Sequence, residues 1–188
     1  MIPLPDKKYQ IIYADPPWSY RGKMMNSSVT DHYSTMTLLD ICNLPIKTIS
    51  DDNCILFLWV TLPKLNEFMN VVINWGFEYK TTAFVWVKTN KRTDINQFSF
   101  LPKDSIDSFM GLGRWTRANA EICILATRGQ VERKSKSIEQ LQLLPLEGHS
   151  KKPDHFRNLI IELIGDLPRI ELFAREKTEG WDVWGNEV

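Results

Sequence analysis

An α/β protein with a largely parallel sheet is what this sequence predicts, and three observations predict it. Short, continuous apolar runs recur, as in YQIIYA at 9–14 and NCILFLWV at 53–60, the pattern of strands buried on both faces. Segments with apolar residues at helical spacing lie between such runs, as in KPDHFRNLIIELIG at 152–165. Strands and helices alternate without a linker, repeat or low-complexity tract, as crossover connections between parallel strands require.

Each element follows from local chemistry. The first strand, 9–14, ends at Asp15 because Pro16 and Pro17 lack the amide donors that a central strand needs. Each proline also biases the residue before it toward extended backbone, which stiffens Asp15 and Pro16. Residues 21–34, RGKMMNSSVTDHYS, are polar and turn-rich and read as a surface loop. Thr35 or Thr37 caps a short helix over 38–42, which Pro45 interrupts. The second strand is 53–60. A helix is expected in 61–77, with Leu65, Phe68, Met69, Val72 and Ile73 on one face and Gly76 as its stop. EYKTTAFVWVKT at 78–89 is a third strand.

Residues 90–113 mix charges, Asn, Ser and Gly with scattered aromatics and hold no period; a loop of that length usually has a function or is disordered. AEICILATRG at 120–129 is a fourth strand with a turn after it, and 130–149 is a second polar insertion. The helix in 152–165 places Phe156, Leu159, Ile160, Leu163 and Ile164 on one face, with Asp154 in its first turn and Gly165 as its stop. RIELFARE at 169–176 is a fifth strand, and TEGWDVWGNEV closes the chain. The whole, 1–188, reads as a single domain with substrate-facing insertions at 21–34, 90–118 and 130–149.

Composition narrows the function. A chain of 188 residues with 43% hydrophobic residues can build one real core. A formal net charge of +0 argues against coating duplex DNA by charge alone. Three cysteines, at 42, 54 and 123, have no metal-like spacing and read as buried thiols, which suits a reducing cytoplasm. The longest apolar run, CILFLWV, is far too short to span a membrane. The three histidines, at 32, 149 and 155, are scattered away from cysteine, so no zinc site is expected. No GxSxG elbow, Walker A string or N-terminal GxGxxG is present. Basic residues crowd 114–136, where Arg114, Arg117, Arg128, Arg133, Lys134 and Lys136 face only Glu121 and Glu132. With Lys88, Lys91, Arg92, Arg21 and Lys23 they would form a phosphate-binding rim if the loops gathered at one sheet end.

In open α/β sheets, ligands sit beyond the carboxyl ends of strands. Asp15, Pro16, Pro17 and Trp18 occupy such an end. The Asp15 carboxylate and the Pro16 carbonyl are both acceptors and could hold the two hydrogens of an exocyclic amine, with Trp18 or Tyr20 stacked on the ring. A strand-ending turn with Trp18 as a core plug is the alternative. VTLP after the second strand and AREKTEGWDVWGNE after the fifth fall at equivalent ends.

DPPW after a short strand, HSKKPDHF at 149–156, and RIELFAR with GWDVWGNE across 169–187 together resemble, in that order, the adenine-N6 methyltransferase family named for the seventy-kilodalton subunit of the eukaryotic mRNA adenosine methyltransferase. The resemblance covers nearly the whole chain and is weakest at 90–113 and 130–148. It implies a Rossmann-like S-adenosylmethionine-dependent fold in circularly permuted strand order, the catalytic strand first and the donor-facing strand late. Asp15, Pro16, Pro17 and Trp18 are then catalytic, with Asp15 between donor and base. Trp18, Tyr20, Arg114 and Arg117 face the substrate. Lys152 lies at the donor's carboxylate, Arg175 and Asn186 at its ribose, Glu187 beside them, and Lys177 near the donor. Glu187 stands where relatives often carry Gln, and the spacing to Lys177 differs from theirs. Ile2, Pro3 and Leu4 would form an apolar lid.

The expected reaction is methylation of adenine N6 in nucleic acid, DNA ahead of RNA, in a bacterial or phage-infected cytoplasm. No metal or membrane is required, and homo- or hetero-oligomers stay open. A nucleic-acid-binding scaffold subunit without strong activity and a small-molecule amine methyltransferase are the alternatives.

Overall fold

The computed structural model describes residues 2–19, 35–90, 109–111, 115–147 and 151–188. The expected loop at 21–34 and most of the expected insertion at 90–118 lie outside them. Seven strands are ordered β5-β3-β4-β2-β1-β6-β7: β1 Tyr9–Ala14, β2 Ser50–Val60, β3 Glu78–Thr89, β4 Ala120–Arg128, β5 Leu141–Pro145, β6 Arg169–Leu172 and β7 Asp182–Trp184. Among the described residues three α-helices accompany them, α1 Leu38–Cys42, α2 Phe68–Asn74 and α3 His155–Ile164. The chain divides into two compact units, one of residues 1–81, 124–132 and 167–188, the other of 82–123 and 133–166. Strands β3 and β4 run from one unit into the other.

In the first unit, β1 is paired in parallel with β2 on one side and β6 on the other, Ala14 standing opposite both Leu58 and Leu172. Strand β7 continues the parallel set, with Leu172 opposite Trp184. Ile11, Ile12, Ala14, Leu56, Phe57 and Leu58 are fully buried, which accounts for the continuous apolar runs of β1 and β2. β4 lies beside β2 in the strand order. Its end meets the start of β2, where Gln130 N–H donates to Asn53 Oδ1 at 2.8 Å and a Cβ on Gly129 would stand 2.2 Å from the Asp52 carbonyl oxygen. β2 starts three residues before the expected position.

Thr37 caps α1 with a full capping box, its hydroxyl accepting from Asp40 N–H. The next helix departs from expectation. A 3₁₀ turn, Leu62–Lys64, precedes α2, which begins only at Phe68. That change of pitch shifts the helical phase. The buried residues are Val71 and Val72, with Trp75 behind them, whereas Leu65, Met69 and Ile73 are exposed. Trp75 sets the rotation, its Nε1 donating to the Ile41 carbonyl at 2.8 Å. Gly76 ends the helix at φ +82°, as expected.

In the second unit, β3 and β5 pair in parallel, Thr89 opposite Pro145. Strand β5 lies inside the expected polar insertion at 130–149. It is a half-exposed edge strand, and such a strand tolerates the terminal proline. Helix α3 covers this unit through Phe156, whose ring lies 5.3 Å from Phe84 and 6.2 Å from Trp86. Burying a side chain of that size contributes roughly 1.5–3 kcal/mol.

Strand β6 is shorter than RIELFARE because Phe173 takes φ +61°, a left-handed conformation that costs a non-glycine residue on the order of 1 kcal/mol. The turn is held from outside. Ala174 N–H donates to the Trp184 carbonyl at 3.1 Å, and the Phe173 ring packs edge-on against Trp184 at 5.5 Å. Gly185 lets the two segments touch, since a Cβ there would stand 2.2 Å from the Ala174 carbonyl oxygen and 2.8 Å from its nitrogen. Gly185→Ala is expected to destabilise the protein by about 1–3 kcal/mol, a fall of several degrees in Tm for a chain of this size; thermal unfolding of the variant measures it.

Candidate active site

The connections leaving β1 and β6 run to opposite sides of the sheet, toward β2 and toward β7. That divergence between adjacent parallel strands opens a crevice at their carboxyl ends. Ala14 and Leu172 are the last residues of the two strands and stand opposite each other. Asp15 and Phe173 therefore leave from backbones about 4.8 Å apart. One strand further, Trp184 ends β7, and Gly185, Asn186 and Glu187 follow. The topology thus brings Asp15, Arg175, Asn186 and Glu187 to the ends of three neighbouring strands.

The turn at 15–19 is closed by its own backbone. Trp18 N–H donates to the Pro16 carbonyl at 2.8 Å, Met36 N–H to the Pro17 carbonyl at 2.9 Å, and Ser19 N–H to the Met36 carbonyl at 3.2 Å. Pro16 is buried and Asp15 half-buried. The Pro16 carbonyl keeps a second lone pair after accepting from Trp18, and the turn fixes where it points.

Trp18 is a core plug. It is 5% exposed, and its Nε1 donates to the Trp59 carbonyl at 3.1 Å. Trp59 Nε1 in turn donates to the Tyr13 hydroxyl at 2.8 Å, so a buried chain of bonds ties the turn to β2 and β1. This arrangement favours the plug over the base-stacking role for Trp18. Tyr20 and Arg114 lie outside the described residues.

Thr61, at the carboxyl end of β2, has a buried hydroxyl with no hydrogen-bond partner. A polar atom so placed beside the crevice suits a site that binds a polar ligand. The residues present also match the chemistry of S-adenosylmethionine: carboxylate and amide groups at Glu187 and Asn186 for ribose hydroxyls, and the close approach at Gly185 leaving backbone accessible. The Ile2 carbonyl accepts from Trp184 Nε1 at 3.1 Å, which pins the expected lid segment to the carboxyl end of β7.

Lys177 is placed elsewhere. With Pro5, Lys7, Tyr9, Trp181 and Asp182 it lines an open cleft of about 590 Å³ by the amino ends of β1 and β7, and the structure does not group it with Asp15. There the Asp182 carboxylate takes hydrogen bonds from Lys7 at 2.7 Å and the Tyr9 hydroxyl at 2.8 Å; those two bonds hold its carboxyl below the usual carboxylate range.

Lys152 belongs to the second unit and is 7% exposed. Its Nζ lies 3.1 Å from Glu121 Oε2, while Lys88 Nζ lies 2.5 Å from Glu121 Oε1. Burial pushes the Glu121 carboxyl up, but the Lys152 and Lys88 ammoniums outweigh it and the net shift is downward. The sequence pairs Glu121 with neither lysine because Lys88 and Lys152 are 33 and 31 residues away.

Of the basic residues expected at a rim, Arg21, Lys23, Lys91, Arg92 and Arg114 lie outside the described residues. Arg117 is exposed in the segment entering β4, pinned where Lys88 N–H donates to the Asn119 carbonyl and Phe109 N–H to that of Lys88. Arg128 sits at the far end of β4, 4.0 Å from Asp52. Trp115, 91% exposed, accompanies Arg117, and the other six tryptophans are buried. Burial pushes the Cys54 thiol up to about 12, which rules it out as a nucleophile near neutral pH. Among the described residues no group of three or more His, Cys, Asp or Glu could hold a metal, and no helix is long and apolar enough to cross a membrane.

Comparisons with known proteins agree with this arrangement. The chain is 34% identical over 205 residues to the Type II methyltransferase M.MunI of a Mycoplasma species, covering 98% of this chain and 80% of that protein. It is 30% identical to the human N(6)-adenine-specific methyltransferase METTL4, covering 97% of this chain and 38% of that one. It is 26% identical to the human N(6)-adenosine-methyltransferase catalytic subunit METTL3, covering 96% of this chain and 28% of that one. The MT-A70 family model matches residues 9–187, from the first residue of β1 to the third residue after β7, and the chain belongs to the MT-A70 family.

Proposed function

We propose that this chain transfers the methyl group of S-adenosylmethionine to N6 of adenine in nucleic acid, with DNA as its substrate. The observation that carries the reading is the acceptor pair Asp15 and Pro16 at the carboxyl end of β1, beside β6, where the sheet changes direction. Higher identity to the Mycoplasma Type II methyltransferase than to METTL3 supports DNA over RNA. The cytoplasm is the proposed setting, in keeping with free thiols at Cys42, Cys54 and Cys123.

S-adenosylmethionine supplies an electrophilic methyl on a sulfonium. Lys152 would hold its carboxylate, and Arg175, Asn186 and Glu187 its ribose. The chain's work on the base is at N6, whose lone pair is delocalised into the ring. Asp15 accepts one N6 hydrogen and the Pro16 carbonyl the other, which favours a pyramidal nitrogen with its lone pair free. As N6 gains positive character in the transition state, both acceptors hold it more strongly than in the ground state. The closed turn at 15–19 fixes them beforehand, so little reorganisation is needed during reaction. A duplex adenine would first be extruded, at a cost of a few kcal/mol.

Three measurements test this reading. Labelled donor, matched single-stranded and duplex DNA and RNA, and digestion to nucleosides should yield N6-methyladenine, most from DNA; donor binding without transfer to any oligomer would instead indicate a scaffold. Asp15→Ala should cut kcat by about a hundredfold or more with Tm nearly unchanged; retained turnover refutes the role of Asp15. Trp115→Ala should weaken oligomer binding by about 1–3 kcal/mol, the range for stacking of one base, and leave donor binding unaltered.

A further inference from the structure

We infer that Glu121, held by Lys88, is a positioning residue that sets the Lys152 ammonium for the carboxylate of the methyl donor. The inference rests on the reading of Lys152 as the donor-carboxylate residue given above; nothing in that reading assigns a role to Glu121 or Lys88.

The geometry is that of a shared counter-ion. Each Glu121 oxygen takes one ammonium, Oε1 from Lys88 at 2.5 Å and Oε2 from Lys152 at 3.1 Å. All three side chains are withdrawn from solvent, at 17%, 16% and 7% exposure for Lys88, Glu121 and Lys152. An ammonium so buried is costly without a partner. Its N–H donors need acceptors, and Glu121 supplies one. Within the triad two ammoniums meet one carboxylate, a surplus of one positive charge.

Secondary structure makes the placement rigid. Lys88 is the penultimate residue of β3 and Glu121 the second residue of β4, and these strand ends are tied where Lys88 N–H donates to the Asn119 carbonyl at 2.8 Å. The Lys88 ammonium also lies 5.1 Å from the Trp86 ring centroid, and Trp86 is anchored through Nε1 to the Leu144 carbonyl at 2.9 Å. Lys152 has no such strand. It precedes α3 in a segment without regular structure, so Glu121 supplies a fixed point for its head group.

Two simpler roles predict different results. If Glu121 only offsets charge, its neutralisation leaves more positive charge for the donor and tightens binding. If the triad only stabilises the fold, its loss weakens every donor alike. A positioning role predicts weaker binding only of donors that bear a carboxylate.

The test is isothermal titration of the full chain with S-adenosylmethionine and with decarboxylated S-adenosylmethionine, taking the ratio of the two affinities. Lys152→Met should bring the ratio close to one; if it does not, the reading of Lys152 fails, and Glu121 has nothing to position. Given that result, Glu121→Gln, which keeps the shape, and Glu121→Asp, which keeps the charge but shortens the reach, should each lower the ratio about tenfold, the loss of one charge-assisted hydrogen bond. Affinity for the decarboxylated donor should stay within about twofold of the parent. A ratio in Glu121→Gln that is unchanged or higher, or an equal loss for both donors, overturns the proposal. If Glu121→Gln does not fold, Glu121→Asp carries the same test.

Discussion

The parallel pairing of β1 with β6 is the constraint from which the site follows. It sets Ala14 opposite Leu172, so the strand that ends in Asp15 and the strand that ends before Phe173 finish level. One strand over, the pairing of Leu172 with Trp184 brings Gly185 and Asn186 to the same end. A one-residue slip in either ladder would turn every side chain to the opposite face and move the acceptor pair relative to Arg175 and Asn186. Burial of Ile11, Ile12 and Ile170 opposes such a slip.

The tryptophans show how a polar handle fixes an apolar core. Trp18, Trp59, Trp75, Trp86 and Trp184 each donate an indole N–H to a distant acceptor, in most cases a backbone carbonyl. Such a bond gives each large ring a defined orientation and avoids an unsatisfied buried donor. Trp18, whose ring the motif offers as a stacking surface, is anchored in the core through that ring and donates its backbone N–H to the Pro16 carbonyl. Trp115 is the exception at the surface, in a segment that also carries Arg117.

Charge in this neutral chain is organised locally. The paired ends of β3 and β4 hold two lysines on one buried carboxylate, and the exposed cation Arg117 belongs to the segment that enters β4. Arg128, the last residue of β4, lies 4.0 Å from the Asp52 carboxylate.

Where structure was dictated by neighbours in sequence, it was legible from the sequence. The bounds of β1 and β3, the Thr37 cap and the stops at Gly76 and Gly165 are local matters of missing donors, capping oxygens and permitted φ values. The acceptor pair Asp15 and Pro16 was legible for the same reason, since two prolines dictate where a strand ends. Short edge strands were not legible. Strand β5 is half-exposed throughout and β7 spans three residues, so neither carries an apolar run, and each exists because a partner strand offers its edge. The phase of α2 was set by Trp75 reaching Ile41, and Lys177 was separated from the donor-side residues by the path of the chain between β6 and β7. By itself the sequence determined the α/β class, the proline turn that ends β1 and the family. Only the tertiary structure decided that Trp18 plugs the core and that Glu121 stands between Lys88 and Lys152, because both depend on hydrogen bonds and ion pairs between residues more than thirty positions apart, which no local pattern encodes.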